Sequence, residues 1–133
     1  MLNENNEKRT VLTLDGKEIS IETGQVAKQA GGSVLVRCGD TVILGTACMS
    51  HKPKEGIDFL PMTTDFRERT YSAGKIPGGF FKREARPREK ETLTSRLIDR
   101  SIRPHFPEGL FHEIQVAMIL LSVDEENDPD MLA

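Results

Sequence analysis

The chain has 133 residues and a formal net charge of −3, with 37% hydrophobic and 29% charged residues. That is the composition of an ordinary globular domain in water. No apolar run is long enough to span a bilayer, and the polar beginning of the chain lacks the apolar core of a signal peptide. We therefore expect a cytoplasmic protein with no membrane association.

The first half of the chain reads as β structure. Residues 1–9 are polar and are predicted to form a flexible N-terminus, with a single domain beginning at residue 10. Alternating apolar residues around Asp15-Gly16 predict a β hairpin. Longer apolar runs on either side of Gly39-Asp40 predict a second hairpin, whose strands are expected to be covered on both faces.

The two cysteines, Cys38 and Cys48, both fall in this second hairpin. A two-residue turn places Cys38 opposite Thr41 and Cys48 opposite Gly31, so the thiols are roughly 23 Å apart along the sheet. A disulfide requires Cα atoms within about 7 Å of each other. Both cysteines are therefore predicted to be free and, from their residue type, buried.

The second half of the chain is predicted to contain a helix. Pro87 suits the first turn of a helix over residues 88–103, which Pro104 ends. A buried strand is predicted after it, and Asp128 followed by Pro129 predicts the start of another helix. Because the sequence stops within about one turn of that start, we expect it to end inside a domain.

Two further segments precede the predicted helix. The residues around Pro61 are expected to be extended, at the edge of the sheet or at a bulge. The Gly- and Pro-rich stretch 73–87 is predicted to be a loop, and loops of that length in compact domains are usually functional or disordered.

Charge is distributed unevenly along the chain. The segment from Arg67 to Arg103 carries eleven Lys and Arg against five Asp and Glu, a net +6, while the remaining residues carry −9. A basic block in an acidic chain suggests a polyanionic partner for one face of the protein. The alternative is a solvated loop and helix, and charge alone does not decide between the two.

Three arginines of the predicted helix share one face. At about 100° per residue, Arg96, Arg100 and Arg103 fall within a sector of about 60°. A separate apolar arc is assigned to the core and contains Leu97, Ile98 and Ile102. Guanidinium groups match phosphate oxygens well, so the stripe predicts phosphate contact; the alternative is a solvated face on which Asp99 pairs with Arg103.

The predicted loop carries aromatic rings among its cations: Phe80, Phe81, Lys82, Arg83 and Arg86. Proteins that bind single-stranded nucleic acid without sequence preference combine aromatic faces for base stacking with cations along the backbone. These five residues are therefore candidates for RNA binding. Two alternatives remain open: the rings pack into the domain's own core, or they form an oligomer interface.

Other chemistries find little support in the sequence. His51, His105 and His112 have no metal-ligand spacing with the cysteines. The sequence has no P-loop or dinucleotide fingerprint, and no carboxylate pair has a reasoned acid–base partner. We predict no catalytic residue and no metal ligand in these 133 residues.

Four stretches together resemble the bacterial polynucleotide phosphorylase family: GGSVLVRCGDTVILGTA, IPGGFFKREARP, EKETLTSRLIDRSIRPHFPEG and QVAMILLSVDEENDPDMLA. The resemblance runs from about Thr10 to Ala133 and points to the first of the family's two RNase PH-like cores. It implies an α+β fold of the RNase PH type (like domain 2 of ribosomal protein S5), a mixed sheet with helices that is incomplete at its C-terminus.

The same resemblance implies a function in mRNA degradation. Members of the family degrade single-stranded RNA from the 3′ end with inorganic phosphate as co-substrate, require Mg²⁺ and assemble as homotrimers with RNA in a central channel; RNA-degradation complexes are possible further partners. The Phe80–Arg83 segment would line the channel entrance with Arg86 just behind it, and Arg100 and Arg103 would lie near the RNA path.

The resemblance also limits what this segment does. In the family, the phosphate site and the metal-binding acid belong to the second core, so this chain is expected to guide RNA and support assembly rather than catalyse. Three alternative functions remain open for this segment: a non-catalytic RNA-binding and trimerisation module, RNase PH itself, and a structural half-domain whose rings lie in an interface.

Overall fold

In the computed structural model, which describes residues 7–78, 84 and 86–133, a single sheet forms the frame of the protein. Its six strands lie in the order β1-β2-β3-β4-β6-β5. Their bounds are Lys8–Leu14 (β1), Lys17–Thr23 (β2), Gly32–Cys38 (β3), Thr41–Pro53 (β4), Met62–Arg67 (β5) and His112–Ser122 (β6). All neighbouring strands are antiparallel except β5 and β6, which are parallel.

The helices are few. Helix α1 spans Glu89–Ile102 and the single turn α2 spans Pro129–Leu132, with 3₁₀ helices at Thr70–Ala73 and Arg103–His105. A mixed sheet with helices confirms the predicted α+β class. The predicted flexible terminus 1–9 overlaps β1, because Lys8 and Arg9 already belong to that strand.

Both predicted hairpins are present. Asp15 and Gly16 have positive φ angles of 52° and 77°, as a type I′ turn requires, and Leu14 pairs with Lys17. Gly39 has a φ of 59°, and a Cβ atom placed there would lie 2.7 Å from the Asp124 carboxylate. Glycine is required at that turn for both reasons.

The turn after β6 is held against the second hairpin by the Asp124 carboxylate. It accepts hydrogen bonds from the backbone N–H groups of Asp40 (3.0 Å) and Asn127 (2.7 Å) and from Asn127 Nδ2 (2.8 Å). The hydrogen bond from the Asn127 side chain is the largest cause that holds the pKa of Asp124 well below its usual range. Asp128 caps α2 as predicted, since its side chain accepts from Asp130 N at 3.0 Å.

The crossover from β5 to β6 runs through α1, which packs against β5 on one face of the sheet. The buried core lies between this helix and the sheet and consists of Ile43, Phe66, Ile98, Met118 and Leu120. The parallel pairing of β5 with β6 explains the helix between them, because parallel neighbours require a long crossover.

Coverage of the second hairpin is two-sided near its turn, where the consecutive residues Val42 and Ile43 are both buried, but β6, expected to be buried, is covered on one face only. Along β6, Met118 and Leu120 are buried, whereas Ile119 and Leu121 between them are 36% and 40% exposed. Among the described residues, helices α1 and α2 contact the strands that form the core face. The apolar run of β6 therefore combines one buried face with one apolar face that is exposed.

The cysteine prediction is confirmed in part. Cys38 pairs with Thr41 across the turn, and both cysteines are free. Cys38 is buried, but Cys48 is exposed, so the burial predicted for Cys48 is wrong. Cys48 pairs with Gln115 of β6 and shares with it the exposed face of the sheet.

The residues around Pro61 lie at a sheet edge, as predicted. β5 begins at Met62 and is the last strand in the sheet order. Pro61 contributes its carbonyl, which accepts a hydrogen bond from Ile114 N at 2.9 Å. A proline has no N–H to donate, so this edge position is compatible with it.

Candidate nucleic-acid interface

Helix α1 begins where a buried carboxylate connects it to the sheet. Arg88 is the N-cap, with an extended backbone, so Pro87 lies one residue before the cap and not within the first turn. Glu91 is only 4% exposed. Its Oε2 accepts from Arg88 N at 2.6 Å and its Oε1 from Glu68 N at 2.7 Å. One side chain therefore satisfies the helix start and fixes it to the end of β5.

The buried side of α1 is formed by Glu91, Thr94 and Ile98. The opposite side carries Arg96 and Arg100, one turn apart and both exposed. Within the contacts of the described residues, neither arginine makes a hydrogen bond or an ion pair. Two guanidinium groups on a rigid helix with unused donors can contact an anion at little entropic cost.

Leu93 and Leu97 share this outer side. They are 57% and 59% exposed, so the assignment of Leu97 to the core arc is wrong. The buried side of α1 consists of Glu91, Thr94 and Ile98, and Leu97 lies outside it. Aliphatic side chains beside the two guanidinium groups can contact sugars and bases as well as exclude water from nearby phosphates.

Arg103 is separated from the other two arginines by its contacts. Its Nε and Nη2 donate to the Asp99 carboxylate at 2.9 and 2.7 Å, and Nη1 donates to Leu60 O at 3.0 Å. Nη2 also donates to Met62 O at 3.3 Å. Hydrogen bonds with Asp99 raise the pKa of Arg103.

These contacts use four of the five N–H donors of the guanidinium group. The solvated i,i+4 pair between Asp99 and Arg103, weighed as the alternative from the sequence, is thus present. Arg103 connects the end of α1 to the start of β5 and has little capacity left for phosphate. Of the three-arginine stripe, Arg96 and Arg100 donate to no acceptor among the described residues.

The aromatic segment lies outside the part of the chain that the structure describes. This applies to Phe80, Phe81, Lys82 and Arg83, whose proposed RNA contacts stay predictions. Arg86 is described and is exposed.

A cavity of about 480 Å³ opens next to Arg86. Several charged side chains line it: Glu68, Arg69, Lys75, Glu84, Arg86, Arg88 and Glu91. Sequence reasoning had not singled out Arg69, Lys75 or Arg88, although all three lie in the basic block. The cavity therefore places four cations and three carboxylates around one opening.

One of these carboxylates, Glu84, contacts the 3₁₀ helix Thr70–Ala73. Its Oε1 accepts from Thr70 N at 2.6 Å and also from Thr70 Oγ1. The hydrogen bond from the Thr70 hydroxyl is the first cause that holds the pKa of Glu84 below its usual value. No local pattern predicts this contact, because it joins residues fourteen positions apart through tertiary structure.

Metal chemistry has no support in the described part of the chain, where no group of three His, Cys, Asp or Glu side chains could hold an ion. Those residues therefore do not fit the Mg²⁺ that the family resemblance implies. Among the described helices, none has the length and apolar character needed to cross a membrane.

Comparison with known proteins places these features in a family. The profile of the RNase PH family, described as "3′ exoribonuclease family, domain 1", matches residues 15–133. The polyribonucleotide nucleotidyltransferase of Koribacter versatilis (strain Ellin345) is 60% identical over 122 residues, which cover 92% of this chain and 15% of that protein. The protein of the same name from Endomicrobium trichonymphae is 61% identical over 118 residues, 89% of this chain and 17% of that protein.

The fold has a counterpart among solved structures. A chain of the Archaeoglobus fulgidus exosome with RNA bound to the active site matches with a TM-score of 0.62 at 20% identity, over 81% of this chain and 44% of that one. This likeness concerns the fold and confirms the predicted RNase PH-like architecture. Since the family profile matches nearly the whole chain, the protein belongs to the RNase PH family of 3′ exoribonucleases, in the family's domain 1.

Proposed function

We propose that this chain is the RNA-guiding segment of a polyribonucleotide nucleotidyltransferase, a phosphate-dependent 3′-to-5′ exoribonuclease that acts in mRNA degradation. The two relatives at 60% and 61% identity carry that name, which favours it over RNase PH itself. The chain spans 15% and 17% of their lengths, so the activity belongs to a larger protein.

The chemistry of the whole protein would be phosphorolysis. An oxygen of inorganic phosphate attacks the phosphorus of the last phosphodiester and forms a new P–O bond. The bond to O3′ of the preceding nucleotide breaks, that oxygen takes up a proton, and a nucleoside diphosphate leaves. Cations stabilise the charge that develops on the phosphoryl oxygens. The described residues hold no site for Mg²⁺.

The observation that carries the guiding role is the exposed pair Arg96 and Arg100 on α1. A helix connected to the sheet through Glu91 and Arg103 holds both guanidinium groups at a fixed spacing. Phosphate contacts of this kind bind single-stranded RNA without reading its sequence. Phe80 and Phe81 would add stacking, and Lys82, Arg83 and Arg86 would add further phosphate contacts.

Assembly is the second part of the proposal. We infer a homotrimer for the whole protein and, with it, possible contacts to RNA-degradation complexes. The exposed apolar side chains of Ile119 and Leu121, on the uncovered face of β6, support an interface between copies of the protein. A purely structural half-domain would share that surface but would not need the free arginines of α1.

The test uses the purified chain with labelled poly(A) and inorganic phosphate. We expect binding at low salt and no release of nucleoside diphosphates. Absence of binding at 50 mM salt would contradict the RNA-guiding role, and diphosphate release would contradict the division between guiding and catalysis. Phosphorolysis by the whole protein separates this proposal from a non-catalytic RNA-binding and trimerisation module, which would release none.

A further inference from the structure

We propose that Glu84 is a positioning residue that holds Arg86 in place for contact with RNA. This inference rests on the proposed function, since it names a further residue on which the same RNA contact depends. Glu84 itself is acidic and would repel a polyanion if its carboxylate faced the solvent. Its contacts direct that carboxylate toward the protein instead.

Both the side chain and the main chain of Glu84 are held. The carboxylate accepts two hydrogen bonds from Thr70, through the backbone N at 2.6 Å and through the hydroxyl. The carbonyl oxygen of Glu84 accepts from Arg69 Nη1, and that nitrogen lies 3.8 Å from Oε2. Two consecutive residues therefore fix the position and the direction of the chain at residue 84.

The receiving element is firmly attached to the sheet. Ser72 is 8% exposed, and its N and Oγ donate to Arg69 O at 3.0 and 2.7 Å. Its carbonyl accepts from Val123 N at 3.1 Å, just after β6. A contact with Thr70 is therefore a contact with the frame of the domain.

A second anchor lies on the other side of Arg86. Glu91 accepts from Glu68 N, so two carboxylates bind backbone N–H groups two residues apart, at positions 68 and 70. Arg86 lies between these anchors and at the cavity.

The expected loss concerns the position of Arg86, because the contact of Glu91 with Glu68 N holds the start of α1 without Glu84. One phosphate contact on a single strand contributes about 0.7 to the salt slope, which at 0.1 M salt corresponds to about five-fold in affinity. Glu84→Ala should weaken poly(A) binding by about that factor, lower the slope by about 0.7 and leave the denaturant midpoint nearly unchanged. Arg86→Gln should do the same, and the double variant should lose no more than either single variant.

Two matched variants separate position from charge. Glu84→Gln removes the negative charge and keeps an oxygen that can accept from Thr70, so it should retain the affinity of the parent chain. Thr70→Pro removes both donors. Thr70 is at the N1 position of its 3₁₀ helix, where proline is tolerated. Arg69 before it is already extended, as a residue preceding proline should be. The Thr70→Pro variant should reproduce the effect of Glu84→Ala.

The outcomes against the proposal are distinct. Tighter binding by both Glu84→Ala and Glu84→Gln would show that only the charge matters, and additive losses in the double variant would show that Glu84 does not act through Arg86. If Arg86→Gln has no effect while substitution of Arg96 and Arg100 does, the positioning role fails and the proposed function stands. If the Arg96 and Arg100 variants also bind normally, the proposed function fails.

Discussion

Replacing Arg96 and Arg100 together by Gln should weaken the salt dependence of RNA binding while the fold persists. Both side chains are exposed and make no polar contact with the described residues, so their removal leaves no buried group unpaired. Each phosphate contact on single-stranded RNA contributes about 0.7 to the slope of log affinity against log salt. The double variant should therefore show a slope that is smaller by about 1.4.

That difference can be measured directly. Between 50 and 200 mM salt, a slope change of 1.4 makes the parent chain lose about seven-fold more affinity for poly(A) than the variant loses. Fluorescence anisotropy of labelled poly(A) over this range is sufficient. The control is Lys28→Gln with Lys52→Gln, two exposed cations outside the basic block, which changes the net charge equally. Equal slopes for the variant and the parent chain, or an equal drop in the control, would refute the assignment of phosphate contacts to α1.

Two further predictions concern residues that the structure places in the frame. Arg103→Gln should lower the free energy of unfolding by about 1–2 kcal/mol, because it loses a half-exposed helix ion pair and two carbonyl contacts; urea titration measures this, and the salt slope for poly(A) should stay the same. Asp124→Asn should destabilise the chain at neutral pH, because an amide nitrogen replaces an oxygen that accepts from Asp40 N and Asn127 Nδ2. The pKa of Asp124 is lowered in the folded state. The difference in free energy of unfolding between the parent chain and the variant is therefore complete above the ordinary aspartate pKa and should shrink as the pH falls below about 4. A stability difference that grows in acid would contradict this.

The local parts of the fold could be predicted from the sequence because their causes are local. Asp15-Gly16 supplies the positive φ angles of a tight turn, and Asp128 with Pro129 supplies a cap and a first turn. The extent of α1 followed from the prolines on either side of it. Each of these signals acts over a few residues and does not depend on what packs against the element.

Contacts between distant segments could not be predicted in the same way. The insertion of β6 between β4 and β5 decides which apolar residues of β6 are buried, and no periodicity of the strand itself contains that information. Exposure of Cys48 has the same origin, since its pairing with Gln115 of β6 places it on the exposed face of the sheet. The contact of Glu84 with Thr70 joins residues fourteen positions apart, so it depends on how the tertiary structure positions both of them.

The three-arginine stripe shows how a correct helical period can still mislead about function. The period fixes the directions of Arg96, Arg100 and Arg103, but the use of each guanidinium depends on what lies within its reach. Arg103 is at the C-terminal end of α1, where Asp99 lies one turn before it and the carbonyls of Leu60 and Met62 lie alongside. Arg96 and Arg100 lie earlier in α1, are exposed and meet no described acceptor. A helix that must both join a sheet and contact a polyanion can thus divide its arginines between the two tasks, and the division follows from their position along the helix, since Arg103 alone of the three lies beside Asp99 and the Leu60 and Met62 carbonyls.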